Sequence, residues 1–346
     1  MRKVLWSSLA LAPVVFVLDR VGVGDVLLFA IAAAALIPLA WLIGEATEHA
    51  AHHTGPGIGG FINATFGNAP ELIIALFAVA DGLPDVVRGS LTGSVVGNLL
   101  LVLGFSLAFG GKGELDRTSS LLSLALVAGA TALFLIPAIP SWEGDPERHS
   151  LAVLSLPIAC VLLGVYLAVT WFSLRRHREL HVSDEPQEME AWSLWRSLAV
   201  LSAATAVTAV VAEILVGSIE VFAEEVGLSD FFVAAVIVAI VGNAAEHGGA
   251  VVVAARGKIK LAAEIALASS AQVAVFLIPA VVVLSWAVTP ALPLSFRPIE
   301  IGALAGATLF TGLVIWDGRS SRLRGMLLIA GYVGIAVAFF LAGDRT

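Results

Sequence analysis

The chain is poor in what a soluble protein needs. Only 13% of its 346 residues are charged, where ordinary soluble domains carry about 25%. Hydrophobic residues make up 59%, more apolar surface than a water-soluble fold of this length can hide, although lipid can solvate it. There is one cysteine, Cys160, which excludes an internal disulfide framework and reads as a small apolar filler within a span. Positive charge is not in excess: the net charge of -8 gives no argument for nucleic acid. Long polar stretches are missing, so no sizeable soluble domain remains. The alternation expected of barrel strands is missing too.

What is present is a series of apolar runs. Ser119 to Ile139 and Leu151 to Leu174 carry no charge, and each can cross a hydrocarbon core of about 30 Å. Backbone groups in lipid must be satisfied within their own segment, so the runs are read as helices. Eleven spans are predicted, near residues 4–18, 25–44, 58–80, 88–109, 118–139, 150–174, 194–222, 230–254, 261–286, 298–316 and 324–342. The first follows Arg2 and Lys3 and resembles a signal peptide. No clear small-x-small cleavage site follows it before the next span, so it is read as a retained helix. With the N-terminus in the cytoplasm, 14 basic residues fall inside and five outside: Arg20, Arg88, Arg148, Arg297 and Arg345. That asymmetry obeys the positive-inside rule and places the C-terminus outside.

The fold class expected is an all-α integral membrane protein with eleven transmembrane helices. A leading helix (1–24) precedes a first five-helix repeat (25–174), a cytoplasmic acidic linker (175–193) and a second five-helix repeat (194–346). The linker acids Asp184, Glu185, Glu188 and Glu190 read as a solvated loop, a regulatory cation site being the sharper alternative. The repeat shows at three places in order. Gly67-Asn68-Ala69-Pro70-Glu71 answers Gly242-Asn243-Ala244-Ala245-Glu246; Gly93-Ser94 answers Ala268-Ser269; Ala46-Thr47-Glu48 answers Ser218-Ile219-Glu220. Five helices is an odd number, so the halves are inverted relative to one another, as in many secondary transporters.

Glu71 and Glu246 lie inside apolar runs, where one charge costs about 2.5–3.5 kcal/mol on insertion scales. Two carboxylates from symmetry-related helices, meeting near the pseudo-two-fold axis, offset that cost by holding one divalent cation or the protons that replace it. Asn68 and Asn243 precede them by three residues and share their helix faces. Gly67 and Gly242 allow a kink or close backbone approach, and Pro70 deprives the Phe66 carbonyl of its helical partner. Amide, carbonyl and carboxylate oxygens suit a hard cation such as Ca2+ rather than zinc or copper. Ser94 with Asn98, and Ser269 with Gln272, are expected across the pocket, where helix-to-helix adhesion by small polar residues is the plainer alternative. His247 suits proton coupling or simple packing. Glu48 and Glu220, expected near opposite membrane faces at helix ends, are candidate gates. Glu45, Glu213, Glu224 and Glu225 read as solvated or interfacial. His49, His52 and His53 invite a metalloenzyme reading but lack the HExxH order.

The segments FINATFGNAPELIIALFAV, VGNAAEHGGAVVVAARGKIKLAAEIALASSAQVAVFLIPA and GSVVGNLLLVLG resemble the α-repeats of the calcium/proton antiporters of the cation/calcium exchanger superfamily. The resemblance covers nearly the whole chain after residue 24 and departs from the usual pattern at Gly97, where Ser commonly precedes the Asn. It implies an eleven-helix antiporter that moves Ca2+ out of the cytosol using the proton gradient, with no resident cofactor and no enzymatic step. It implies that Glu71 and Glu246 are the central acids and Asn68 and Asn243 the helix breakers. His247, Ser94, Asn98, Ser269 and Gln272 are the polar neighbours. Sodium/calcium exchangers usually carry a GTSxPE type of repeat, so Asn68, Asn243 and His247 favour protons over sodium. Alternating access follows, with Ca2+ and protons competing for one carboxylate pair. Mn2+ as cargo, sodium coupling, a cation channel and a membrane metalloenzyme are the alternatives. Short loops suggest a prokaryotic cell membrane.

Overall fold

Helix accounts for nearly all of the described backbone, as a chain whose peptide groups cannot reach water requires. The computed structural model describes residues 2–178, 192–288 and 290–345. The linker acids Asp184, Glu185, Glu188 and Glu190 lie outside the described residues. In chain order the helices are α1 (Arg2–Ser8), α2 (Leu11–Val21), α3 (Asp25–Gly67), α4 (Ala69–Ala80), α5 (Pro84–Val96), α6 (Leu103–Gly110), α7 (Arg117–Ser141) and α8 (His149–Arg178). They continue as α9 (Leu194–Gly217), α10 (Ile219–Val226), α11 (Asp230–Phe232), α12 (Ala239–Gly242), α13 (Ala244–Ala255), α14 (Ile259–Gln272), α15 (Ile278–Ser285), α16 (Pro298–Val314) and α17 (Arg322–Ala342). Gly97–Val102, Val233–Val238 and Val273–Leu277 are π-helical and join their flanking helices without a break. One carbonyl in the first of these, Leu99, accepts a bond from the Thr311 hydroxyl at 3.3 Å. Among the described residues eight helices are long and apolar enough to cross a membrane, nine if Ile219–Val226 and Asp230–Gly242, bent by 110°, are taken together.

Local chemistry sets the boundaries. Asp116, Ser193 and Ser321 cap α7, α9 and α17 by accepting backbone N–H bonds from Ser119, Arg196 and Arg324, as N-cap residues do. Gly227, at φ 71°, closes α10 in the left-handed conformation that glycine adopts without strain. The Ser229 hydroxyl then starts the next helix by accepting the Phe232 N–H at 3.1 Å.

Three elements differ from the sequence expectation. The connection expected between 44 and 58 is helical, and α3 runs for 43 residues. The polar stretch EATEHAAHH is rich in Ala and Glu, strong helix formers, so its polarity does not end the helix. Glu48 therefore sits inside a helix rather than at its end. The single span expected over 194–222 breaks at Ser218, whose hydroxyl donates to the carbonyls of Ile214 and Leu215 at 2.9 Å each; such side-chain bonds compete with the helical ladder. A two-residue antiparallel pair, β1 (Gly113–Glu114) with β2 (Arg319–Ser320), was not expected.

The most buried helices are α5, α6 and their π-helical link, with α14 and α15 beside them. Peripheral helices expose apolar side chains such as Leu167, Leu313, Met326 and Leu341. Trp6, Trp142, Trp171, Trp195, Trp286 and Trp316 are exposed near helix ends, the position of aromatic belts at a bilayer interface. Cys160 is exposed on α8. The polar ends gather into two sets. At one end β1 meets β2, Lys260 lies 3.1 Å from Asp116, and Arg324 pairs with Asp317. At the other, Arg88, Glu147, Ser295 and Arg345 converge. The first is termed the basic end below, the second the arginine-cluster end.

Elements recur at a fixed shift. Ala69–Ala80 returns as Ala244–Ala255 and Leu103–Gly110 as Ile278–Ser285, each displaced by 175 positions. Val95 and Ser270 stand at equivalent positions, and the Ser270 hydroxyl reaches the Val95 carbonyl at 3.5 Å.

Candidate ion-binding site

Both GNxxE segments are helix breaks. Asn68 (φ -96°, ψ 14°) separates α3 from α4, and Asn243 (φ -92°, ψ 3°) separates α12 from α13. Each Asn is the N-cap of the following half-helix, and Glu71 and Glu246 occupy its first turn. Half-helix N-termini carry partial positive charge that favours an anionic group there. The Phe66 carbonyl is not free as expected, because the Asn68 N–H donates to it. The Asn68 and Asn243 carbonyls accept from Leu72 and His247 at 3.0 and 2.9 Å.

The two carboxylates converge, each seated on the other half's glycine. A Cβ added at Gly242 would stand 3.2 Å from Glu71 Cγ, and one at Gly67 would stand 3.4 Å from Glu246 Oε1. The absence of a side chain at these two positions lets each acid lie against the opposite backbone. Glu71 is buried and Glu246 half-buried.

Polar residues of the flanking helices join them. The Ser269 hydroxyl donates to Glu246 Oε2 at 2.6 Å, and Asn98 Nδ2 donates to Ser269 Oγ at 3.0 Å. Asn243 Nδ2 donates to Ser94 Oγ at 2.8 Å and to the Ala239 carbonyl at 3.0 Å. Gln272 is half-buried and contributes no hydrogen bond to this cluster among the described residues. At the 175-residue shift Gln272 answers Gly97, and Asn98 answers Val273, so the amides of the two halves do not occupy equivalent places.

Three buried oxygens, Glu71 Oε2, Asn98 Oδ1 and Asn243 Oδ1, have no protein hydrogen-bond partner, nor has His247 Nε2. Buried polar atoms in native proteins are almost always satisfied, so these oxygens fit a cationic guest. Among the described residues no three His, Cys, Asp or Glu side chains converge on a metal position. The cluster combines two carboxylates with neutral amide and hydroxyl groups.

Other candidates lie elsewhere. Glu48 and Glu220 are exposed on α3 and α10, away from this cluster. His49 stacks on Trp192 with ring centroids 4.5 Å apart, and His53 Nε2 lies 2.6 Å from the Trp192 carbonyl. His49 thus engages the Trp192 indole and His53 the Trp192 backbone, and no three metal-ligating side chains converge there among the described residues. Sequence reasoning missed Gly93, where an added Cβ would fall 1.9 Å from the Ala235 carbonyl. It also counted Arg88 only as one of the outside basic residues, at the start of the span 88–109. Arg88 is only 1% exposed and pairs with Asp85 at 2.7 Å and Glu147 at 2.8 Å. The Asp85–Arg88 spacing of three on a helix was the available signal.

A family profile described as "Sodium/calcium exchanger protein" matches residues 25–175 and 196–341. A Ca(2+)/H(+) antiporter from Synechocystis sp. is 38% identical, over 98% of this chain and 97% of its own length. The Ca(2+)/H(+) antiporter ChaA of Bacillus subtilis is 40% identical, over 91% of this chain and 92% of its own. Among solved structures, that of native YfkE superposes with a TM-score of 0.85 at 35% identity, covering 99% of this chain and 100% of the other.

Proposed function

The chain belongs to the sodium/calcium exchanger protein family, and from that premise we propose that it exchanges cytosolic Ca2+ for external protons through one shared carboxylate pair, Glu71 and Glu246. The observation that carries the reading is the reciprocal seating of the acids, Glu71 over Gly242 and Glu246 over Gly67. Two carboxylates there balance one dication, and protons neutralise them when it leaves. Competition for the same oxygens couples the fluxes. Antiporter relatives matched end to end support Ca2+ and H+ as the ions. Glu71 Oε2, Asn98 Oδ1 and Asn243 Oδ1 are the oxygens that complete the hard ligand set. Ser94 and Ser269 orient the set, His247 serves proton exchange beside Glu246, and Gln272 joins only when the helices rearrange. Glu48 and Glu220 attract cations at the two entrances.

Eleven crossings, a leading helix and two inverted five-helix repeats, are part of this reading. Eight long apolar helices, one bent pair and the two shorter apolar helices Ala69–Ala80 and Pro298–Val314 support that count. The recurrence of α4 and α6 as α13 and α15 supports the repeat. The basic end is assigned to the cytoplasm by the positive-inside rule, within a prokaryotic cell membrane.

Radiolabelled Ca2+ uptake into proteoliposomes, driven by a pH jump, tests the proposal. Uptake in the native protein, lost in Glu71→Gln and Glu246→Gln, is expected. Flux that persists with no counter-gradient would indicate a channel, and flux driven only by a sodium gradient would indicate sodium coupling. Competition by Mn2+ measures how far the cargo extends beyond Ca2+.

A further inference from the structure

The segment Asp230–Gly242 runs from the arginine-cluster end down to Asn243, and it is sealed against α5 along its length. Phe231 is fully buried at its start. A Cβ added at Gly89 would stand 3.0 Å from the Phe231 ring and 3.1 Å from its carbonyl oxygen. One turn deeper, Gly93 admits the Ala235 carbonyl so closely that no side chain fits between. Deeper still, Asn243 binds Ser94.

The equivalent face of the other half is open. Ala268 stands at the 175-residue shift from Gly93 and is exposed on α14, as are Gly248 and Gly249 on α13. Among the described residues the close packing that covers α5 toward the arginine-cluster end therefore has no counterpart at Ala268.

Four contacts fasten the closed end. The Asp344 carboxylate accepts the Phe231 N–H at 2.9 Å and the Asp230 N–H at 3.3 Å. The Arg297 guanidinium lies 3.7 Å from the Phe231 ring centroid. Arg297 Nη1 also donates to the Gly343 carbonyl at 2.8 Å, next to Asp344. A carboxylate on the first N–H groups of a helix and a cation over an aromatic face are both favourable contacts. They join Asp344 and Arg297, distant in sequence, to the tip of the segment that is packed against α5.

We infer that Asp344 and Arg297 form a latch that holds Phe231, and with it Asp230–Gly242, shut over the ion site at the arginine-cluster end. The inference rests on the alternating-access reading above. Asp344 is a positioning residue: it acts on the site through Phe231 and touches no cargo.

Maleimide labelling kinetics of purified protein test the latch. Cys160→Ser supplies the background, since Cys160 is exposed. Ala239→Cys reports the sealed face, because Ala239 Cβ lies against Gly93. Ala130→Cys, buried on α7, reports general loosening. Adding Asp344→Ala should speed labelling at Ala239→Cys roughly tenfold, the effect of losing charge-assisted bonds, and leave Ala130→Cys unchanged. Asp344→Asn, which keeps an acceptor oxygen, should give a smaller rise. The latch is refuted if Ala239→Cys labels at an unchanged rate, or if Ala130→Cys rises in step with it. Absence of Ca2+/H+ exchange in the native protein would instead overturn the functional reading, and the labelling comparison does not depend on it.

Discussion

Helices α5 and α14 are related by the 175-residue shift, yet Gly93 on one is covered and Ala268 on the other is exposed. Gly93 on α5 lies under the Ala235 backbone, whereas Ala268, its equivalent on α14, is exposed. The serines next to them differ in the same sense. Each accepts from a distant Asn, Ser94 from Asn243 and Ser269 from Asn98, but only Ser269 also donates to a carboxylate, that of Glu246. Repeated backbone with unequal contacts is what a single site needs if it is to face one side at a time. The unequal contacts, more than the repeat itself, define the state seen here.

The largest effect should come from the element both halves share. Glu71→Gln and Glu246→Gln are each expected to cut exchange by on the order of a hundredfold or more, as loss of one member of a buried charged set does. Proton-driven Ca2+ flux measures it. Similar losses at both positions would show that the carboxylates act as one pair. A large loss at one and a mild loss at the other would break the symmetry at its centre.

Next is the contrast between Gly93 and Ala268. Gly93→Ala forces a methyl group into the Ala235 carbonyl, and overpacking of this kind costs about 1–3 kcal/mol. Exchange should fall roughly tenfold or more, whereas Ala268→Gly should leave it near native. Equal sensitivity at the two positions would mean that the sealed face is not a gate.

Much of this was legible in the sequence because it depends on local chemistry. Asn-x-x-Glu is a helix-start signal, with Asn at the cap and Glu in the first turn, so each GNxxE run announces both a break and an acid beside it. The recurrence at a 175-residue shift could be read because charged and amide residues are rare in apolar helices, and their alignment stands out. What could not be read depends on close approach between distant segments. Nothing near Gly93 says that Ala235 will lie on it, and Arg88 looks like an interfacial residue until Glu147 and Ser295 enclose it. The continuity of α3 was hidden because polar residues were weighed as a boundary when their helix propensity favoured continuation. The π-helical segments carry no clear residue pattern.

A smaller difference is expected between the two serines. Ser269→Ala removes a bond to a carboxylate as well as one from Asn98, and Ser94→Ala removes only one between neutral groups. Bonds to charged groups contribute about 1.5–3 kcal/mol and neutral ones about 1. Ser269→Ala should therefore weaken apparent Ca2+ affinity roughly tenfold and Ser94→Ala only a few-fold, read from the Ca2+ dependence of exchange. The reverse order would place the binding contacts on α5 instead.

The smallest effect belongs to the basic end, where Asp116 pairs with Lys260 in the exposed first turn of α14. Hydrogen bonds from the Arg324 guanidinium hold the Asp317 carboxyl below the usual carboxylate range. Asp116 is held low first by the Ser119 N–H and then by Lys260. A carboxyl with a depressed folded-state pKa adds stability above its unfolded value, about 3.9, and loses it as pH falls through the folded value. Both groups face solvent, which screens them. Asp317→Asn and Asp116→Asn should each lower the thermal unfolding midpoint slightly near neutral pH. The difference from the native protein should shrink below about pH 4 and in high salt. Exchange should be unaffected, because neither carboxylate touches α5, α13 or the ion site. If either variant slowed exchange without lowering the midpoint, the basic end would have to be counted as part of the moving gate, and the open face around Ala268 could no longer be treated as free of restraint.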